Sequence, residues 1–167
     1  DIYRHDYEEF VTGSTSTRVT SNSGATTLFD STFYVVTTDR NVYKCLDNDG
    51  NTASTVEPTG TSTSVITTGD GYKWKYMYTL SANEQANFLS TDFMGVSTDS
   101  TVSSAAVDGA LDTILVVAGG SGYTLSSGTT ITSIPIRGDG SGGVASVTIS
   151  GGAISAATVT TAGTGYT

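Results

Sequence analysis

Cysteine, histidine and cationic residues are all scarce in this 167-residue chain, and each shortage closes off a class of function. The one cysteine, Cys45, excludes an intrachain disulfide framework, so the fold must stand on packing or on neighbouring subunits. Set between Lys44 and Leu46 in an apolar run, it reads as a small buried thiol rather than a nucleophile. The one histidine, His5, has Asp6 beside it, but adjacency does not orient a triad, and no Gly-x-Ser-x-Gly elbow occurs. Seven Lys and Arg against 16 Asp and Glu give a net charge of −9, leaving no cationic surface to displace counterions from a phosphate backbone. Nucleic acid and anionic membrane surfaces are therefore poor partners. No run approaches the roughly 18 to 20 apolar residues of a spanning helix, so no membrane insertion is expected. No Asn-x-Ser/Thr sequon is present, which weighs against a glycosylated secreted protein. The chain begins at Asp1 and stops at Thr167 inside a repeated motif, so it reads as a fragment whose repeat continues.

What the chain does have is strand-forming material. Nine Tyr, five Phe and many Val, Ile and Thr separate it from disordered chains, which lack aromatic and β-branched residues. Ser and Thr make up about a third of it, which suits a scaffold better than an active site. Composition shifts near residue 96. Of the 23 charged residues 18 lie before that point, and 13 of the 20 glycines lie after Gly95. Two domains are expected, 1–96 and 97–167, with the seam at "STDSTVSS", residues 97–104.

The first half reads as a mainly β, antiparallel sheet domain with one short helix. "TFYVVTT" (32–38) and "NVYKCL" (41–46), parted by Asp39 and Arg40, form a hairpin pattern. "STVEPTGTSTS" (54–64) reads as loop, because Pro58 and Gly60 do not suit a central strand. "GYKWKYMYTL" (71–80) places Tyr72, Trp74, Tyr76 and Tyr78 on alternate positions, so a strand here carries four rings on one face and Lys73 and Lys75 on the other. Core packing is the favoured reading for the stripe, ahead of a subunit interface and of a platform for a stacked ligand. In "SANEQANFL" (81–89), Ser81 followed three residues later by Glu84 makes a capping box that opens a helix. The Ser/Thr-rich stretch 11–27 reads as a long loop or arm.

The second half repeats. "GGSGYT" (119–124) recurs as "AGTGYT" (162–167), 43 residues on, each after a β-branched run, "TILVV" or "ATVTT". Between the copies, three short strands with glycine turns are expected, a β-meander closing on a Gly-x-Gly-Tyr-Thr turn. The turn tyrosines, Tyr123 and Tyr166, are expected to lay their rings across exposed backbone.

Two apparent motifs fail on their surroundings. "GDGSGG" (138–143) satisfies Gly-x-Gly-x-x-Gly, but the residues after it alternate as a strand, and a dinucleotide site needs a helix amino terminus there. "DNDGN" (47–51) starts like a calcium loop, yet the sixth position is Thr52 and the twelfth is Pro58, where glycine and glutamate are required. A turn held by aspartate hydrogen bonds is preferred there over an opportunistic ion at Asp47 and Asp49. The separation of a glycosidase carboxylate pair is set by the fold and not by spacing. No catalytic, cofactor-binding or metal-binding residues are therefore assigned, no cofactor is expected, and the protein is expected not to be an enzyme.

Residues 33–89 carry ordered landmarks: Val42-Tyr43-Lys44-Cys45-Leu46, the "STVEPT" stretch from Ser54 to Thr59, and Asp70-Gly71-Tyr72 leading into Trp74-Lys75-Tyr76-Met77-Tyr78-Thr79, with "YRHDY" (3–7) upstream. In these the chain resembles the baseplate wedge subunit of contractile-tailed bacteriophages, of the gene-product-eight type. The glycine-rich half resembles repeats appended to phage structural proteins. The resemblance implies a mainly β virion protein of the tail baseplate, assembled in the host cytoplasm. Its implied partners are its own copies, as a homodimer or larger assembly, and other baseplate or tail proteins. A module recognising host-surface saccharide and a bacterial surface adhesin segment are the competing expectations.

Overall fold

The computed structural model describes residues 3–4, 7–9, 33–50, 52–90 and 93–167. His5 and the Ser/Thr-rich stretch 11–27 lie outside the described residues. Two compact units result, Asp1–Ala105 and Ala106–Thr167. The division falls after the "STDSTVSS" stretch rather than before it, because that stretch is not a linker. Ser100–Ala105 form a helix, α2. Asp99 caps it, accepting hydrogen bonds from the backbone N–H groups of Thr101 (2.8 Å) and Val102 (3.0 Å), and Val102 packs on an aromatic cluster of the first unit.

Mainly antiparallel strands build the first unit. Its five-stranded sheet runs β2 (Tyr7–Glu9), β3 (Tyr34–Val36), β4 (Asn41–Asp47), β6 (Lys73–Thr79) and β5 (Ile66–Thr67). Among the described residues only the β2–β3 pair is parallel. A separate antiparallel pair joins β1 (Tyr3–Arg4) to β7 (Met94–Gly95). The β3–β4 hairpin closes where the sequence changes from β-branched to Asp39-Arg40. Arg40 takes the left-handed conformation (φ 64°) and its N–H donates to the Thr37 carbonyl at 2.8 Å. Helix α1 (Ala82–Phe88) opens with the full capping box, Ser81 and Glu84 each satisfying the other's backbone N–H.

Both faces of this sheet are covered at its centre. One face gathers Tyr34, Val36, Val42, Tyr78, Leu80 and Met94, with Leu89 after α1 packed against them. The other gathers Val35, Tyr43, Tyr72, Trp74 and Tyr76. That explains why β3, "YVV", is buried at all three positions and does not alternate.

The second unit is a three-stranded antiparallel meander, ordered β10 (Ala153–Thr161), β9 (Val144–Ser150) and β8 (Thr130–Pro135). Gly151 and Gly152 join β9 to β10 with φ of 58° and 77°, the paired positive angles of the tight hairpin turn that matches strand twist. "GDGSGG" lies in the β8–β9 connection, and a strand comes after it, so it cannot present a helix amino terminus to a nucleotide.

The two copies of the repeat also meet each other. The Leu111 N–H donates to the Ala162 carbonyl (3.0 Å), and Ile154, 43 residues after Leu111, donates to Gly119, 43 residues before Ala162 (2.9 Å). The Tyr166 N–H donates to the Gly109 carbonyl (3.1 Å), and that of its counterpart Tyr123 donates to Gly152, the counterpart of Gly109 (3.0 Å). Residues 108–124 and 151–167 are therefore related by an approximate two-fold axis within the unit. The symmetry is incomplete. Ala153–Thr161 form a strand, whereas the equivalent stretch containing "TILVV" has no regular strand.

Candidate functional site

The aromatic stripe is buried throughout: Tyr72, Trp74, Tyr76 and Tyr78 expose 4%, 1%, 3% and 5% of their surfaces. It does not lie on one face, however. Along the β4–β6 ladder Val42 pairs with Tyr78 and Tyr43 with Tyr76, so two steps on β6 match one step on β4, a β-bulge at Met77. Neighbouring Val42 and Tyr43 point to opposite faces, and so must their partners. Tyr78 thus joins Tyr34 and Met94 on one face, while Tyr72, Trp74 and Tyr76 join Val35 and Tyr43 on the other. The expectation of four rings on one face is corrected to three and one, since strict alternation holds only for an unbulged strand.

Each ring is tied at its polar end. Tyr78 Oη donates to the Gly95 carbonyl (3.1 Å) and Tyr43 Oη to the Gly60 carbonyl (2.7 Å). Tyr72 Oη bonds the Thr52 carbonyl, and Trp74 Nε1 donates to Thr68 Oγ1 at 3.3 Å. Tyr76 Oη donates to Asp99 Oδ2 (3.2 Å), which links β6 to the cap of α2. Tyr72 and Trp74 stack with centroids 5.3 Å apart, and Tyr43 meets Tyr76 edge-on at 5.9 Å. Burial pushes the Tyr43 and Tyr76 phenols above their ordinary range. Lys73 forms an ion pair with Asp47 at 3.1 Å, and Lys44 lies 5.5 Å from the Phe33 ring centre.

Sequence alone does not announce Asp70, yet it is the principal polar knot of this unit. One carboxylate oxygen accepts from Ser54 Oγ (2.8 Å) and from the backbone N–H groups of Thr55 (2.8 Å) and Val56 (3.0 Å). The other accepts from Thr68 Oγ1 at 2.5 Å. Partial burial pushes its pKa up, but these four hydrogen bonds to the charged form outweigh it and hold the carboxyl well below the usual range. The knot fastens the "STVEPT" stretch to the turn before β6. Glu57, from the same stretch, accepts from the N–H (2.9 Å) and hydroxyl (3.1 Å) of Thr38 in the β3–β4 turn. Ser54 and Pro58 are fully buried. The segment read as loop is thus a strap sealed over the sheet, and its buried polar atoms are answered one by one.

In the second unit the two turn tyrosines part company. Tyr166 donates its hydroxyl to the Ile136 carbonyl (3.1 Å) and accepts from the Gly143 N–H (3.1 Å). Its ring lies across "GDGSGG": a Cβ at Gly140 would come within 2.5 Å of the ring, and one at Gly143 within 2.6 Å of the hydroxyl. Asp139 accepts from the Thr167 N–H (3.2 Å) and hydroxyl, and these bonds lower its pKa. The glycines of the apparent nucleotide motif therefore make room for Tyr166. Tyr123 is 43% exposed and its ring approaches only its own Gly120 closely among the glycines.

These arrangements brace backbone. Asp47 and Asp49 form a turn in which the Asp49 N–H donates to Asp47 Oδ1 at 3.1 Å, and Asp47 is engaged by Lys73. Among the described residues no three His, Cys, Asp or Glu side chains cluster as metal ligands would, and no helix is long and apolar enough to cross a membrane. Cys45 is half-buried against the Trp74 cluster, with Sγ 3.5 Å from the Asp47 carbonyl. Comparison with known protein families, with curated proteins and with solved structures finds no match.

Proposed function

We propose that this chain is a structural virion protein of a contractile phage tail, a baseplate wedge component that holds subunits together through protein–protein contacts. The observation carrying the reading is where its resemblance landmarks fall. Val42-Tyr43, the Ser54–Thr59 strap, Asp70 and the rings of β6 make one interlocked frame of core, strap and carboxylate knot. A frame whose polar groups are spent on its own backbone suits a rigid assembly part. In this reading the protein works as a homodimer or larger complex, has no enzymatic role, and resides in the virion.

The test is to raise antibody against the chain and image labelled phage particles alongside sedimentation of the purified protein. Label at the tail baseplate and a sedimenting complex are expected. A monomer that neither labels particles nor binds a tail protein would refute the reading. Recognition of saccharide by the β6 rings loses its motive, since rings exposed by 5% or less offer a sugar no face.

A further inference from the structure

We infer that α2 is a lid that opens and closes over the Tyr76 end of the aromatic cluster while the sheet beneath it stays folded. How lightly the helix is held carries the inference. Five of its six residues are exposed, and the sixth, Val102, is half-buried against the cluster. Asp99 supplies the other attachment: one carboxylate oxygen caps the helix at the Thr101 and Val102 amides, and the other accepts from Tyr76 Oη at 3.2 Å. These bonds, that of the Val102 N–H foremost, hold the carboxyl below its usual range, so the pin carries its charge at neutral pH.

A helix of six residues falls well short of the roughly 12 to 15 at which isolated helices persist in water, so α2 is helical while docked and melts when it leaves. Its departure orphans no polar group in the core. The Tyr76 hydroxyl hydrogen, released from Asp99, turns to Thr79 Oγ1 at 2.8 Å, whose own hydrogen is already given to Asn41 Oδ1 at 2.5 Å. Asp99 and the freed amides pass to water. Helix α1 also buries no residue of its own, yet it is fixed at both ends, by Leu80 before it in the core of the opposite face and by Leu89 after it packed on that core. After α2 comes Val107, which is 54% exposed. Because α2 is the last element of the first unit, opening bares Tyr76 and adds residues 100–105 to the connection between the units. Elements with few apolar contacts and exposed backbone bonds are the ones that open locally, ahead of the fold as a whole.

The lid does not depend on the baseplate reading, and either can fail without the other. Its test is amide hydrogen exchange of the full chain at urea concentrations below unfolding, joined to nitration by tetranitromethane mapped by mass spectrometry. Protection at Val102 and Ser103 is expected to be at least about a hundredfold lower than in β4 and β6 and insensitive to urea, the mark of local opening. Asp99→Ala and Val102→Ala, one at each attachment, should each lower that protection about tenfold further, in line with the loss of a cap. Both should raise nitration of Tyr76 several-fold and leave Tyr43 and the amides of β4 and β6 as they were. Four results would each overturn the inference: α2 amides exchanging in step with β4 and β6, α2 amides without protection in the wild type, variants that loosen β4 and β6 along with α2, or nitration of Tyr76 that neither variant moves.

Discussion

Replacing Asp70 with alanine tests whether the strap is held by one carboxylate. The change removes four hydrogen bonds to a charged acceptor, from Ser54, Thr55, Val56 and Thr68, and a fifth, longer one from the Tyr72 N–H (3.5 Å). Bonds to charged groups contribute about 1.5 to 3 kcal/mol each when fully protected. The Thr55 and Val56 amides can recover water, so most of the loss falls on buried Ser54 and on Thr68. A net loss of about 3 kcal/mol is expected, and Asp70→Asn, which keeps one acceptor, should lose about half as much. The chain's one tryptophan, Trp74, lies in the core of the same unit, so its fluorescence in urea reports that unit without interference from the other. Acid provides a second reading. The folded-state pKa of Asp70 lies below its unfolded value of about 3.9, so its stabilisation is complete above that pH and is lost as pH falls beneath it. Wild type should therefore begin to converge on Asp70→Asn below about pH 4 and reach it only beneath the folded-state pKa. A variant within about 0.5 kcal/mol of wild type at pH 7 would refute the knot, since that is the scatter of neutral surface changes.

Gly143→Ala should destabilise the second unit more than Tyr166→Phe, because the first drives a methyl into the ring and the second removes only two hydrogen bonds, about 1 to 2 kcal/mol together. Amide exchange of β9 measures both. Tyr123→Ala, at an exposed ring, should cost less than about 1 kcal/mol by the same measurement, against several for Tyr166→Ala. Trp74→Ala should cost about 3 to 5 kcal/mol by chemical denaturation followed by circular dichroism. Lys73→Met should move the urea midpoint by less than about 1 kcal/mol equivalent, since its ion pair with Asp47 is partly exposed and screened by salt.

Much of the local structure is legible in the residues because it depends on near neighbours. Ser81 and Glu84 cap α1 over a span of four residues, and Gly151-Gly152 turns a hairpin through its own backbone angles. The failure of "GDGSGG" as a nucleotide loop is plain from the strand-like residues after it. The features that stay hidden depend on distant neighbours. Asp70 looks like an ordinary turn aspartate until Ser54, 16 positions away, is brought to it. Helix α2 looks like a polar seam until Asp99 caps it and Tyr76 anchors the cap.

The linear order of residues is enough to settle the mainly β class, the change of character along the chain, the burial of the β6 rings and the 43-residue repeat. Hydrophobic periodicity and turn chemistry act within a few residues, so they can be read in one dimension. Folding in three dimensions is what sends Tyr78, through the bulge at Met77, to the opposite face from Trp74, and what pairs β9 along the second copy of the repeat. Register and pairing are set by strands far apart in the chain, and a one-residue slip in a ladder reverses which face each later side chain meets.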